Sequence, residues 1–292
     1  MAEAEVDPRA VLVALGVGDA ERIEPATGGW STTRVWRVER PGARLALRLF
    51  RPGQHEPARR EAGAMRAAAA IGLPVPRVHA EGSWQGRPAL LLDWCAGRPL
   101  LDDLRRRPWA LWAAGHAFGR MHARLHRATA PPGLPGWIDW PARPEPSLRA
   151  RLEAVARRDV LLHLDFHPLN VLVKGSEVSA VLDWANARAG DPRADVARTF
   201  TILLLAPPRR SRAIEVTRRL LAAAYRHGYE REAAPLADMA PFLAWAAQAM
   251  LHDLRPKLGQ PGIPLAEADL APIAVWAEAR LGEVAGPAPG PG

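Results

Sequence analysis

A single cysteine, Cys95, excludes an internal disulfide and any thiol-based zinc or redox motif, and leaves that side chain a small buried hydrophobe. No uninterrupted apolar run reaches the roughly eighteen residues that a membrane span needs. The opening MAEAEVDPRA is acidic and has no basic-then-apolar secretion signal, so the expectation is a soluble cytoplasmic protein with no membrane partner. Lysine is nearly absent: Lys174 and Lys257 stand alone beside abundant Ala, Arg, Pro and Gly, a skew that reads as coding bias. There is no internal repeat.

What is present is an apolar fraction of 48%, which argues against wholesale disorder, and a length of 292 residues that admits one large domain or two lobes. The net charge of +8 would suit a nucleic acid. The arginines, however, are spread along the whole chain, with no basic tail and no RNA-binding signature interleaved with aromatics, so no nucleic-acid partner is expected. The run Arg105-Arg106-Arg107 reads as a helix end, where cations suit the dipole. Nothing in the sequence specifies an oligomer.

Residues 22 to 50 read as an antiparallel meander: RIEPA, the loop TGGWSTT, RVWRVER, a Pro41-Gly42 turn, then ARLALRLF. A helix from about Pro57 to Ala70 follows, ended by Gly72 and Pro74, and then two strands near Arg77 to Gly82 and Arg87 to Cys95. After Ala96-Gly97 the pattern turns helical, near residues 100–107, 109–128, 148–158, 194–205, 211–227, 235–254 and 265–284. The expected class is α+β, with a small antiparallel sheet lobe over residues 1–95, a larger helical lobe over 96–284 and a disordered tail over 285–292. A cleft between lobes is a natural ligand site.

The stretch HLDFHPLNVLV puts polar side chains into an apolar run. Read as a strand, it would align His163, Asp165 and His167 as metal ligands, which leaves Asn170 and Asp183 unexplained. Read as two short strands around an FHPL loop, with Lys174-Gly175-Ser176 turning the chain into VSAVLDW, it makes two hairpin-like returns that gather Asp165, Asn170 and Asp183. Phosphoryl transfer from ATP needs a carboxylate at the attacking hydroxyl and oxygen ligands for magnesium, and these three residues supply that set.

HLDFHPLNVLV followed by VLDWANARAGDPRADVA resembles the catalytic segments of the aminoglycoside phosphotransferase and choline kinase superfamily, over roughly residues 22–245. The resemblance implies a protein-kinase-like two-lobed fold, Asp165 as catalytic base, Asn170 and Asp183 as Mg2+ ligands, and His163 and His167 as supports of the loop. It also implies that Asp195 tethers that loop. Asp191 before Pro192 looks like a helix start. ATGGWSTTRVWRV resembles a phosphate-covering hairpin in which Gly28 and Gly29 let backbone amides approach the phosphates, although two glycines equally make an ordinary turn. Where a kinase carries a lysine paired with a helix glutamate, this chain has Arg48, with Glu61 as its partner. LLLDWCAGRPL resembles the interlobe linker, whose backbone near Asp93 to Cys95 would meet the adenine edge. In AFGRMHARLH, His122 and His126 read as packing or surface residues.

The function expected is ATP-dependent transfer (GTP being the alternative nucleotide) of a γ-phosphate to a hydroxyl of a small substrate, of the aminoglycoside, choline or homoserine kinase type. The alternative is a kinase-like protein that binds nucleotide or metabolite with weak or no transfer. A protein kinase is disfavoured because no activation segment follows Asp183. Trp137, Trp140, Trp245 and Trp276 could stack on a sugar or cage a quaternary ammonium, but read first as core. The carboxy-terminal helices carry as many arginines as carboxylates, which argues against a polycationic aminoglycoside.

Overall fold

The computed structural model describes residues 6–18, 20–26, 33–156, 159–175, 177–207, 211–260 and 262–285. The chain opens on a short helix, α1 (Pro8–Ala14), not anticipated from the sequence, with Asp7 accepting from the Arg9 N–H at 2.9 Å. Then come β1 (Arg22–Pro25), β2 (Arg34–Arg40), β3 (Ala43–Leu49), α2 (His55–Ala70), β4 (Val78–Trp84) and β5 (Arg87–Asp93). They form a five-stranded antiparallel sheet in the order β1-β2-β3-β5-β4.

Alternation in ARLALRL decides how this sheet is covered. Leu45, Leu47 and Leu49 pack with Trp36, Val38 and the α1 residues Val11 and Leu12. The opposite face, through Ala46, Leu90 and Leu92, packs on Ala58, Ala62, Met65 and Ala68 of α2. Arg48 therefore emerges on the α2 side.

The helical half contains β6 (Arg98–Pro99), α3 (Leu100–Arg106), α4 (Leu111–Leu125), α5 (Pro146–Val155), β7 (Val160–Leu162), β8 (Val171–Lys174), β9 (Glu177–Val181), β10 (Arg188–Gly190), α6 (Pro192–Leu205), α7 (Arg212–Glu232), α8 (Met239–Leu254) and α9 (Glu267–Ala285). The expected tail lies, beyond Ala285, outside the described residues. Asp191 caps α6 through the Arg193 N–H at 2.9 Å, with Pro192 at the first position, as the sequence predicts. Trp137, Trp140 and Trp245 are buried core, Trp137 meeting Trp245 edge-on at 4.8 Å.

Of the two expected hairpin returns, one forms. β8 and β9 pair from Val171↔Val181 to Lys174↔Glu177. The first return does not: β7 pairs with β10, and β8 pairs with β6 and β9. The reason is a carboxylate from a later helix. Leu164 takes φ +57, and the His163 and Leu164 N–H groups bond the Asp195 carboxylate in place of a neighbouring strand.

The link between the halves is tied to β9. Gly97 has φ +140, a Cβ there would lie 2.4 Å from Ser179 Oγ, and the Ser179 hydroxyl donates to the Ala96 carbonyl at 2.8 Å.

Helices α4 and α7 touch backbone to backbone. A Cβ on Gly119 would lie 1.9 Å from the Tyr225 carbonyl oxygen, and one on Gly228 would lie 2.1 Å from that of His116. Gly119→Ala is expected to destabilise the fold by about 2 kcal/mol or more through overpacking. In α2, Gly63→Ala meets nothing within 4 Å and should be neutral or stabilise by up to about 1 kcal/mol. Urea unfolding midpoints of the two variants check this contrast.

Candidate active site

The loop after β7 is held by its backbone. The His163 and Leu164 N–H groups donate to the two oxygens of Asp195 at 2.5 and 2.8 Å. Arg198 Nε donates to the Leu164 carbonyl at 3.3 Å, and the Thr199 hydroxyl to the Phe166 carbonyl at 2.9 Å. All three side chains come from the first turns of α6, so the helix that Asp191 starts is also the cradle of the loop. The Phe166 ring stacks on Phe118 at 4.6 Å and on His122 at 4.0 Å.

Behind Asp195 lies a polar network. Its Oδ2 is 3.1 Å from His122 Nε2 and 3.2 Å from His126 Nε2, while the Tyr225 and Tyr229 hydroxyls meet the two Nδ1 atoms at 2.7 and 2.8 Å. His122 and His126 are buried, as core residues that support this network. Burial opposes charge on Asp195, yet the neighbouring His122 and His126 outweigh it and hold the carboxyl well below its usual range. Burial also pushes the His122 imidazole down to about 4 against the pull of Asp195.

His163 joins the two halves of the reactive constellation. Its Nε2 donates to the Leu182 carbonyl at 2.9 Å, and its Nδ1 accepts from the Asp165 N–H at 3.3 Å. Leu182 in turn donates its N–H to the Asn170 carbonyl at 2.8 Å. Leu182 is thus gripped from both sides, which sets the backbone of Asp183 next to that of Asn170 and brings the charges of both Asp165 and Asp183 to bear on His163. With both ring nitrogens of His163 engaged, the aligned His163, Asp165 and His167 metal face does not form. Among the described residues the three metal-ligating side chains that converge are instead His122, His126 and Asp195, already hydrogen-bonded inside the core.

Asn170 donates its amide to Asp165 Oδ2 at 3.2 Å and to the Asp165 carbonyl at 3.0 Å. Its amide nitrogen is also 3.2 Å from His167 Nε2, which lies 3.5 Å from Asp165 Oδ1. Burial would raise the Asp165 pKa, but the His167 hydrogen bond and the charges of His167, His163 and Arg198 hold it below the ordinary carboxylate value.

Arg48 pairs with Glu61 and reaches Asp183 Oδ1 at 3.7 Å. Asp183 has φ +60 and keeps 42% of its side chain exposed. Burial pushes Glu61 up to about 7 against the attraction of Arg48, Asp183 adding to the push, and Glu61 Oε2 has no hydrogen-bond partner among the described residues.

Gly28 and Gly29 lie outside the described residues. The Asp93 carboxylate accepts from the Arg77 N–H at 3.1 Å and contacts His79 Nε2 at 2.6 Å. The Asp93 and Trp94 N–H groups are donated to the Arg77 and Arg44 carbonyls. Cys95 is half-buried, its thiol pushed up to about 11 by burial and by Asp93. Arg198, Thr199, Tyr225, Tyr229 and Leu182 were missed from the sequence; the one available signal was the four-residue spacing of His122 and His126 along a helix.

The depressed imidazole of His122 has a measurable sign. Below about pH 6.5 the unfolded chain takes up a proton that the folded chain refuses until about pH 4. The stability from this group is therefore present above about pH 6.5 and lost as the pH falls toward 4, by roughly 3 kcal/mol. Urea unfolding across this window should give a steeper acid loss in the wild type than in His122→Leu.

A model of the phosphotransferase enzyme family matches residues 22–242. No curated protein matches the chain. Among solved structures, a Ralstonia eutropha JMP134 protein provisionally assigned as an aminoglycoside phosphotransferase is 20% identical over 95% of this chain and 98% of its own, with a TM-score of 0.70. A thermostable mutant of aminoglycoside phosphotransferase APH(4)-Ia, in ternary complex with ADP and hygromycin B, is 17% identical over 95% and 98%, with a TM-score of 0.67. Amicoumacin kinase hAmiN, bound to AMP-PNP, Ca2+ and Ami, is 16% identical over 89% and 88%, with a TM-score of 0.63. At such identities the likeness is one of fold: a kinase-like sheet lobe beside a helical lobe. With the family match spanning most of its length, the chain belongs to the phosphotransferase enzyme family.

Proposed function

We propose that the protein is an ATP- and Mg2+-dependent O-phosphotransferase acting on a small hydroxylated molecule, with GTP as the alternative nucleotide. The observation that carries this reading is the convergence of Asp165, Asn170 and Asp183 through the doubly held Leu182. The nucleotide would lie between the sheet lobe, residues 1–95, and the helical lobe, residues 96–284. The ADP and AMP-PNP bound in two structural neighbours support it.

The donor set suits a hard divalent cation. Asn170 commits its amide nitrogen to Asp165, which leaves its oxygen as the donor atom, and Asp183 supplies a half-exposed carboxylate. Asn170 and Asp183 would hold Mg2+ there, and the chemistry it would supply is neutralisation of the charge that develops on the transferring phosphate. Asp165, held ionised, is a weak base; it suits orienting a hydroxyl in a loose transition state, where little proton transfer precedes bond making. Arg48 would take the phosphate-contacting place, anchored by Glu61, and Gly28 and Gly29 would cover the phosphates with backbone amides. At the linker the Asp93 N–H is already used, so an adenine edge would find its backbone donor from Cys95 onward. Among the described residues no helix is long and apolar enough to cross a membrane.

Arg48 also favours a second reading, a nucleotide-binding protein with weak or no transfer, because a planar fork cannot reproduce an ammonium's contacts. Asp165→Ala and Asp183→Ala should each lower ATP-dependent phosphotransfer by about a thousandfold while retaining the wild-type thermal midpoint. Normal turnover in either variant would sink the assignment. An ATP and Mg2+ thermal shift without ATP consumption, across a broad panel of hydroxylated metabolites and antibiotics, would select the binding protein.

A further inference from the structure

Three largely buried arginines around the reactive loop are paired with carboxylates, whereas Arg188 and Arg60 have none among the described residues. Arg48 has Glu61, Arg193 has Asp191, and Arg198 has Asp253 at 2.8 Å. Arg188 has no such partner among the described residues. Its Nη1 donates to the Ala187 carbonyl at 2.9 Å, and its buried Nε has no acceptor.

The position of Arg188 ties it to the loop. It sits on β10 opposite Leu162, the last residue of β7 before the loop. Its guanidinium carbon lies 5.3 Å from the centre of the Trp140 ring, and that of Arg198 lies 5.1 Å from the same ring. Arg198 donates to the carbonyl of Leu164, the residue before Asp165. A chain of three contacts therefore runs from Arg188 to the residue before the proposed base.

The second exception is Arg60 on α2, immediately before Glu61, whose Nε is likewise buried without an acceptor. Helix α2 packs against the turn Trp184–Asn186 and against β7, the two segments that flank Arg188. Burial, and then the nearby charge of Arg60, hold the Arg188 guanidinium below arginine's ordinary range. Arg60 is near enough for its charge to act on Arg188; like charges partly desolvated without a counter-ion among the described residues are unfavourable, and a bound anion removes that cost. A guanidinium fork matches the oxygens of phosphate and carboxylate.

We propose that Arg188, with Arg60, forms an anion subsite beside the reactive loop, and that the hydroxylated acceptor carries a phosphate or carboxylate seated there. The part concerning the acceptor rests on the phosphotransferase reading. The arrangement selects against a polycationic acceptor, which would meet two uncompensated positive charges.

The test titrates inorganic phosphate into the full chain saturated with AMP-PNP and Mg2+, at constant ionic strength, and follows thermal stability. AMP-PNP fills the positions of the nucleotide's own phosphates, so a remaining response reports a separate anion site. Expected is a saturable stabilisation that weakens about tenfold or more in Arg188→Gln and in Arg60→Gln and is unchanged in Arg280→Gln. An equal AMP-PNP shift in every protein shows that the fold is intact; should Arg188→Gln not fold, Arg188→Lys keeps the charge, loses the fork and should still bind more weakly than wild type. No phosphate response, a response confined to protein without AMP-PNP, or equal binding by the variants overturns the proposal. Absence of an AMP-PNP shift counts against the phosphotransferase reading alone, since the phosphate titration still reads the arginine pair. In an ATP-consumption panel, turnover should be confined to hydroxylated acceptors bearing a carboxylate or phosphate, and efficient turnover of a neutral or polycationic one would overturn the acceptor assignment.

Discussion

Burying an ionised carboxylate is tolerable only where donors replace its water, and the fold around the reactive loop is arranged to supply them to Asp195. Two are backbone N–H groups of the loop, at His163 and Leu164, and His122 and His126 crowd the oxygen that His163 bonds. Those histidines are steered by tyrosines of α7, which reach them because glycines let α4 and α7 come into backbone contact. Three helices are thereby locked around one charge. The left-handed turn at Leu164, unfavourable for a branched side chain, persists because both of its backbone polar groups are held, one by Asp195 and the other by Arg198.

The second buried carboxylate, Glu61, behaves in the opposite way for a reason that the comparison makes plain. Both groups are almost fully shielded from water. Asp195 is surrounded by donors and is held well below its usual range; among the described residues Glu61 has Arg48 alone, an unpartnered oxygen and Asp183 nearby, and is pushed up to about 7. Donor supply, more than depth, sets the direction. The loop that carries Asp165 is thus built on a fully hydrogen-bonded carboxylate, whereas the sheet side meets Asp183 through an incompletely satisfied one.

Much of the site was legible because its parts are local. Asp165 and Asn170 sit a few residues apart around a proline loop, and the Asp191-Pro192 start of α6 is a short-range capping signal. The β2–β3 hairpin follows from Pro41-Gly42 and the alternation on either side. The failures concern partners distant in sequence. His122 and Tyr225 are 103 positions apart, and helical periodicity marks each as inward-facing without saying what it meets. The expected β7–β8 hairpin failed because Asp195, in a later helix, takes the N–H groups that a neighbouring strand would have used. Helix α1 was missed because a capped segment as short as Pro8–Ala14 gives too little periodicity to separate it from a loop.

The junction at Gly97 carries a mechanical consequence. Strand β5 ends at Asp93, and from Gly97 onward the chain is fastened to the sheet of β6, β8 and β9. The covalent tether between the halves is therefore the segment Trp94 to Ala96, which even fully extended spans only about 10 Å. A strap of that length leaves little room for the halves to slide apart and confines their relative freedom to swivelling about one point. Because its far end is stitched to the strand that begins at Val171, that pivot stays beside Asn170 whichever way the sheet lobe turns.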